Sequence, residues 1–538
     1  MASTRVEIDE SQPLIHKKDD EAGARRHLRI TICAIALGSF LAAFDQTVVA
    51  AIYPTIGASF NALNQTSYLA TAYLLSNTAL QPLYGRLSDI YGRKNCLLFA
   101  NTVFLFGTIM CTLSPTLWWC IAGRAVQGIG GGGLNVIGVV ILSDLVPVRQ
   151  RGIYQGIMNI VFGSGSSLGA PIGGILADTI GWRWGFGIQI PLIFISLFMV
   201  ITFINIQQPG SSNTDTPESR LKRIDFGGSI CIVVAVCCLI LGFNIGGNMV
   251  PWLSVIPICL LSAFVILVIT FVVIEAKFAR EPIMPMRLMT ARTPLLTALI
   301  NFFSSASYFV LVFNLPLFYR AVMNFSAGMA GKRLIPAALG GSCASLGIGL
   351  LMNKTGRYYW VLLTSGVILI LSTVLVSTLG ADCTVPQQLL YLVPGGFGYA
   401  GLLTANLIAL LSAIKPEDMA AATGTSYLFR STGSILGISV SNSVLNTLLT
   451  KRLSFLSHGV VEEIKRDINT IWNAAIFTPE ERQRVLGTYV DCMHDVFKLA
   501  IASALIALLL GTAVEEHKLK TKLVTVEEPD SDEEENDS

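Results

Sequence analysis

The sequence predicts an all-α integral membrane protein, and three observations lead to this fold class. Of 538 residues, 52% are hydrophobic and 13% are charged, about half the charged share of roughly 25% in soluble domains. Fourteen apolar runs are long enough for a transmembrane helix, which needs about 20 residues. Lys and Arg concentrate in alternate connecting segments. The apolar runs span residues 29–53, 66–86, 95–114, 116–143, 152–178, 184–206, 226–246, 252–275, 294–320, 328–352, 360–379, 388–414, 419–449 and 496–514.

The distribution of positive charge orients the chain. With a cytosolic N-terminus, most Lys and Arg fall in cytosolic segments, whereas the opposite loops at 54–65, 247–251 and 380–387 contain none. An even number of spans then places both termini in the cytosol. The exceptions to this pattern are Arg183, Arg320, Lys332 and Arg333.

The runs group into two six-helix bundles separated by two extra helices. A weak internal repeat supports this, because Gly85 and Gly349 each follow the second run of a half and stand seven residues before a Gly-Arg pair. Repeated halves are typical of secondary transporters. The predicted parts are a cytosolic tail (1–28), a first bundle (29–206), a linker with the extra helices (207–293), a second bundle (294–514) with a luminal loop (450–495), and an acidic cytosolic tail (515–538).

The composition also excludes several classes of protein. All five histidines lie in hydrophilic stretches, so an intramembrane metalloenzyme is not expected, nor is any metal site, cofactor or catalytic residue. No phosphate-binding GxxxxGK[ST] segment is present, which disfavours ATP as the energy source. A net charge of +2 gives no reason to expect a nucleic acid partner. The expected partners are small molecules, protons and lipid.

The segment that follows the second run, Gly85 to Lys94, has the residues of an ion-pair lock. Gly85 allows close helix packing, and Gly92 allows a tight turn. Asp89 can pair with Arg93 and hold the two halves together in one state of the protein. The plainer alternative is a positively charged loop with a turn.

Charged residues inside apolar runs are costly and usually functional. Asp45 lies deep in the first run, and a carboxylate there can load and release a proton when an arginine is near; a structural ion pair is the alternative. Arg124 in run 4 and Arg430 in run 13 can bind a substrate carboxylate, or for Arg430 a neighbouring helix. Gln127 and Gln189 are further candidate substrate ligands.

Several of these segments resemble the major facilitator superfamily. Gly85–Lys94 resembles its signature loop, Arg124-Ala-Val-Gln127-Gly128 its fourth-helix motif, and Asp45 with its neighbours the first-helix motif of the fourteen-helix drug:proton antiporters. The resemblance implies the two-bundle fold, a proton-coupling role for Asp45 and Arg124, and a position for Asp144 beside Asp89, where it completes the lock.

Run 5 resembles the antiporter motif of the same subfamily, with Ala170 at the usual proline position. The resemblance implies a helix-packing face. The residues of that face are Gly165, Gly169, Pro171, Gly173 and Gly174.

Further segments resemble the fungal vacuolar amino-acid transporters, which include basic amino-acid transporters. They are Gly181-Trp-Arg-Trp184 and Leu428-Phe-Arg430-Ser-Thr-Gly433. The resemblance implies proton-coupled antiport of amino acids, basic ones first, from the cytosol into the vacuole. Two alternatives stay open: a drug:proton exporter at the plasma membrane, and an amino-acid sensor that does not transport.

Short patterns outside the runs bear on sorting and modification. Glu10, Leu14 and Ile15 fit an acidic dileucine signal, which docks on a sorting adaptor and favours delivery to the vacuole over the plasma membrane. Asn64 and Asn324 begin glycosylation sequons on the predicted luminal side. Cys383 and Cys492 also fall on that side, where a disulfide is able to form; free thiols are the favoured alternative.

Overall fold

The first half of the chain folds into helices, as predicted. A computed structural model describes residues 15–62, 66–204, 223, 225–247, 250–279, 281–466, 468–472 and 477–517. The helices of the first half are α1 (Ile15–Ser59), α2 (Ser67–Tyr91), α3 (Arg93–Thr112), α4 (Leu117–Leu145), α5 (Val148–Thr179), α6 (Arg183–Gly187) and α7 (Gln189–Phe203).

The rest of the described chain is also helical and contains no strand, which confirms the all-α class. The extra pair is α8 (Phe226–Ile245) and α9 (Val255–Lys277). The remaining helices are α10 (Met286–Thr290), α11 (Arg292–Met323), α12 (Ala327–Lys332), α13 (Ile335–Thr355), α14 (Tyr359–Ser377), α15 (Val385–Leu390), α16 (Val393–Ser412), α17 (Met419–Arg452), α18 (His458–Arg466) and α19 (Pro479–Thr512), with 3-10 turns at Pro416–Asp418 and Ile468–Trp472.

Twelve helical segments of the described chain are long and apolar enough to cross a membrane. Helices α2 and α17 are not among them, although they have 25 and 34 residues. Both carry many polar side chains, and some of these line a cavity between the halves: Asn77, Thr78 and Gln81 from α2, and Arg430, Ser431 and Ser434 from α17. The polarity of α2 and α17 therefore accounts for the difference between the twelve apolar segments and the fourteen spans that the sequence predicts. The number of fourteen spans remains a prediction.

Most helix–helix contacts lie within one half of the chain. In the first half α1 packs on α5, and α4 packs between α2 and α3. In the second half α11 packs on α17 and α19, and α16 packs between α13 and α14. Two seams join the halves, α2 against α17 and α5 against α13. The extra helix α8 lies along the α2–α17 seam, where Ile232 and Val236 pack with Ala79 and Leu428.

Helical structure extends beyond the last predicted apolar run and into the predicted luminal loop. Helix α19 begins at Pro479 rather than near residue 496, and α18 lies inside the 450–495 segment. The physical reason is local: Thr478 accepts a hydrogen bond from the backbone N–H of Glu481, and the Glu481 carboxylate accepts one from the backbone N–H of Thr478. This capping box starts the helix in polar sequence, beyond the apolar part. Helix α1 similarly begins at Ile15, inside the predicted tail.

Candidate functional site

A cavity of about 460 Å³ lies between the two halves, within the usual size range of small-molecule sites. Helices α1, α2, α4 and α5 line it from the first half, and α11 and α17 line it from the second. Among its described lining residues none is acidic, and the two charged ones are Arg124 and Arg430. The neutral polar residues of the lining include Gln46, Thr47, Asn77, Gln81, Asn135, Gln155, Asn159 and Ser431.

A buried ion pair lies behind the first-half wall of the cavity. Arg124 Nη1 is 2.5 Å from Asp45 Oδ2, and the two side chains are 2% and 0% exposed. Two amides also donate to Asp45 Oδ1, Gln127 Nε2 at 2.9 Å and Gln189 Nε2 at 3.2 Å. The Arg124 guanidinium lies 4.2 Å from the ring centroid of Tyr73. Asp45 is therefore a fully buried carboxylate that has one guanidinium and two amide donors as partners.

The ion pair changes the interpretation of two predicted substrate ligands. Gln127 and Gln189 are fully buried and are absent from the described cavity lining. Gln127 also accepts a hydrogen bond from Arg124 Nη1 at 2.6 Å. Both amides thus position the Asp45–Arg124 pair, while Arg124 itself reaches the cavity wall.

Glycines on α5 fix the position of Asp45 by packing directly on α1. Three glycines at four-residue spacing lie on this face: Gly165, Gly169 and Gly173. A β-carbon on the first would lie 2.6 Å from the carbonyl oxygen of Phe40, and one on the third 3.0 Å from that of Val48. Two other residues of the predicted face take no part, because a β-carbon at Gly174 would meet no described atom of a neighbouring element within 4 Å and Pro171 is exposed.

Arg430 lies on α17, on the second-half side of the cavity. Its guanidinium is 5.2 Å from the ring centroid of Tyr427 and interacts with the hydroxyls of Tyr399 and Tyr427. No carboxylate pairs with it among the described residues. The tyrosine partners were not recognised in the sequence, because an aromatic residue in an apolar run carries no distinguishing signal.

The predicted lock residues Asp89, Arg93 and Asp144 form an ion-pair cluster, and all three lie within the first half rather than across the two halves. Arg93 Nη1 is 2.5 Å from Asp89 Oδ1, and Arg93 Nε is 2.9 Å from Asp144 Oδ2. One guanidinium therefore joins the end of α2 to the end of α4. Lys94 takes no part in this cluster and donates to the carbonyl oxygen of Ile201 at 2.8 Å.

A second cluster at the loop was not predicted. Glu281 lies between two arginines, with Oε2 3.2 Å from Arg86 Nη2 and Oε1 2.5 Å from Arg223 Nε. The carboxylate belongs to the segment that follows the extra helices. It therefore ties that segment to the signature loop.

Glycines bring the two halves into backbone contact at the end of the molecule that carries the signature loop, here called the loop end. A β-carbon at Gly85 would collide with the carbonyl oxygen of Ala420, and one at Gly349 with that of Gly152. Gly92 has a φ of 93°, which residues with a side chain rarely adopt. Gly349 also stands in the predicted repeat, so both halves use a repeat glycine for closure.

Polar contacts reinforce closure at the loop end. Arg149 Nε of the first half donates to the carbonyl oxygen of Asn353 of the second half at 2.6 Å, and Arg287 Nη2, in the segment that follows the extra helices, lies 2.6 Å from Asp418 Oδ1. The cavity extends the other way, to Tyr53 near the opposite end of α1. The structure is therefore a conformation closed at the loop end.

The remaining predicted features fall outside the cavity. Asn324 is exposed in a left-handed conformation at the end of α11, which keeps its sequon accessible. Cys383 and Cys492 are free thiols, and Cys492 is buried. Outside the described residues lie Glu10, Leu14 and Asn64; α1 begins at Ile15, whose side chain is not described.

The residues described above fall within a match to a known protein family. The model of the Major Facilitator Superfamily matches residues 35–438, which include both arginines of the cavity and the whole lock. This chain belongs to the major facilitator superfamily. Membership of this superfamily confirms the predicted family and identifies the protein as a membrane transporter rather than an enzyme.

Two relatives come from the fission yeast Schizosaccharomyces pombe. The multidrug resistance protein fnx1 is 40% identical over 445 residues, 82% of this chain and 83% of that protein. The vacuolar membrane amino acid uptake transporter fnx2 is 39% identical over 469 residues, 86% of this chain and 80% of that protein. Among solved structures of the superfamily, the proton:xylose symporter XylE is similar with a TM-score of 0.58 at 13% identity, over 92% of this chain and 98% of its own, which shows the shared fold.

Proposed function

We propose that this transporter exchanges protons for amino acids and moves amino acids from the cytosol into the vacuole by alternating access. The observation that carries the proposal is the Asp45–Arg124 ion pair, buried beside a polar cavity between the halves. The relative named as a vacuolar membrane amino acid uptake transporter supports both the substrate and the location.

Asp45 is the proton site in this proposal. Protonation removes the negative charge of Asp45 and leaves Arg124 without a counterion, in surroundings where an unpaired charge is costly. Because Arg124 lines the cavity, the charge of the cavity wall then changes. Proton uptake is thereby coupled to the state of the substrate site.

Basic amino acids are the side-chain class that the family resemblance implies. A cationic side chain needs a negative partner, and Asp45 supplies one only when Arg124 moves away, since Asp45 is fully buried behind that guanidinium. The proton and a basic side chain would then compete for one carboxylate. Competition of this kind is sufficient for antiport.

The lock at the loop end is the gate in this proposal, with the loop end on the cytosolic side. The contacts of Arg93 with Asp89 and Asp144 fix the ends of α2 and α4 beside the α2–α17 seam, which must open and close in each transport cycle. A sensor that does not transport has no need of a complete gate. The intact lock therefore favours transport over the sensor alternative.

One relative is named as a multidrug resistance protein, and this favours drug:proton export at the plasma membrane as the second candidate. Location separates the two candidates. The dileucine pattern of Glu10, Leu14 and Ile15, as a docking site for a sorting adaptor, supports the vacuolar membrane.

Uptake by purified vacuolar vesicles tests the proposal. Vesicles with and without the protein are energised with ATP and given labelled lysine, arginine, histidine or neutral amino acids. We expect protein-dependent uptake that a protonophore abolishes. Unchanged uptake, with the protein present in the vesicles, would reject the proposal and favour drug export.

A further inference from the structure

The two arginines of the cavity differ in their partners. Arg124 is neutralised by Asp45, whereas Arg430 has no acidic partner among the described residues. Instead, Arg430 interacts with Tyr399 and Tyr427, whose ring faces and hydroxyls are neutral. The second-half wall of the cavity therefore carries an uncompensated positive charge.

An arginine without a counterion in this position favours the binding of an anion. Arg430 is half-buried, and its guanidinium stays protonated at any physiological pH, so it cannot relieve the cost of this partial burial by losing its charge. Tyrosine rings offset part of that cost. A carboxylate can offset much more, because it accepts two parallel hydrogen bonds from one guanidinium.

The other residues of the cavity lining are compatible with a substrate that carries an anionic group. The described lining holds no Asp or Glu, and its other polar groups are neutral amides and hydroxyls such as Asn77, Gln81 and Asn159. These groups can bind either a cationic or a neutral polar side chain of the substrate. They give no advantage to a cationic side chain over a neutral one.

We propose that Arg430 is the anchor for the substrate carboxylate, and that this anchor, rather than a positive side chain, defines the substrate class. The inference rests on the proposed amino-acid transport and extends it. Neutral amino acids are carried as well as basic ones, and amines that lack a carboxylate are excluded.

The position of Arg430 also links the anchor to the seam between the halves. The next residue, Ser431, donates to Gln81 Oε1 at 3.0 Å, across the α2–α17 seam. A carboxylate held by Arg430 therefore lies beside a contact that must change during alternating access. Substrate binding at Arg430 and rearrangement of the α2–α17 seam therefore involve adjacent residues.

Vesicle uptake of three compounds tests the anchor: lysine, asparagine, and cadaverine, which is lysine without its carboxylate. We expect the unaltered protein to take up lysine and asparagine but not cadaverine. Arg430→Gln should raise the KM for both amino acids at least about tenfold, as for loss of a hydrogen bond between charged groups. Arg430→Lys should recover part of that loss.

Arg333→Gln is the matched control, because Arg333 lies 5.4 Å from the ring centroid of Phe325 and outside the cavity lining. Its KM values should not change. Each purified variant must also match the unaltered protein in thermal stability, which separates loss of an anchor from loss of folding.

Two results would overturn the anchor while leaving amino-acid transport standing. One is cadaverine uptake as fast as lysine uptake by the unaltered protein. The other is an unchanged KM for both amino acids in Arg430→Gln. Absence of any amino-acid uptake by the unaltered protein is a different result, and it rejects the proposed function together with the anchor.

Discussion

The two halves of this transporter each place one arginine at the shared cavity, and their surroundings are opposite. In the first half, Arg124 is held by Asp45 and by Gln127 in a buried cluster. In the second half, Arg430 is held only by tyrosines among the described residues. One arginine is thus part of a closed ion pair, and the other faces the cavity with its charge unmatched.

This difference shows that a buried charge in a transmembrane helix has no single meaning. Asp45 can neutralise Arg124 in one protonation state and release it in the other, which suits proton coupling. Arg430 has no such switch, so its charge is constant and suits binding of an anion. The assignment follows from the partners, which are visible only after folding.

The largest effect should come from breaking the first-half pair. Asp45→Asn leaves Arg124 buried without a counterion, and loss of one partner of a buried pair costs about 3–5 kcal/mol. We expect loss of pH-driven uptake together with a lower thermal stability of the purified protein. Uptake driven by a pH gradient and thermal unfolding in detergent measure the two effects.

The double variant Asp45→Asn with Arg124→Gln separates stability from coupling. Because it removes both charges, its thermal stability should return towards that of the unaltered protein, whereas pH-driven uptake should stay absent. Retention of pH-driven uptake in either variant would contradict a coupling role for Asp45.

A smaller effect should come from the glycine contact that closes the α5–α13 seam. A β-carbon at Gly349 collides with the backbone of Gly152, and excess volume in a packed contact costs about 1–3 kcal/mol. Gly349→Ala should therefore disfavour closure at the loop end and slow uptake by roughly 5- to 150-fold. The matched control is Gly347→Ala on the same helix, where nothing lies within 4 Å, and it should leave the uptake rate unchanged.

Much of the fold could be predicted from the sequence, because lipid imposes long apolar runs and an asymmetry of positive charge. The same rule explains where the prediction was weak. Helix α19 begins in polar residues that a capping box at Thr478 stabilises, so hydropathy alone marks only its apolar part. Helices α2 and α17 depart from the apolar pattern because they form a seam between the halves and contribute polar side chains to the cavity.

The sequence indicated individual residues of the candidate site, but not how these residues contact one another. Asp45, Arg124 and Arg430 stand out in sequence, since charge in an apolar run is rare. The partners could not be predicted: Gln127 and Gln189 were expected to bind substrate, yet both donate to Asp45. An amide has no charge pattern to indicate its partner, so only the packing of α1, α4 and α7 reveals its role.

The smallest effect should come from Glu281, which ties the segment after the extra helices to the signature loop in the closed conformation. Its carboxylate pairs with Arg86 and Arg223, and the three side chains are 19–37% exposed, so water and salt weaken the contacts. Partly exposed ion pairs contribute about 0.2–1 kcal/mol each. Glu281→Gln should therefore shift the balance between closed and open conformations by a few-fold, which cysteine accessibility at the loop end can measure.

Added salt should reduce this shift, because screening already weakens the same pairs in the unaltered protein. Glu463→Gln, at an exposed position of α18, is the control and should leave accessibility unchanged. An equal shift in both variants would mean that Glu281 acts through general charge rather than as a tie between the extra helices and the lock.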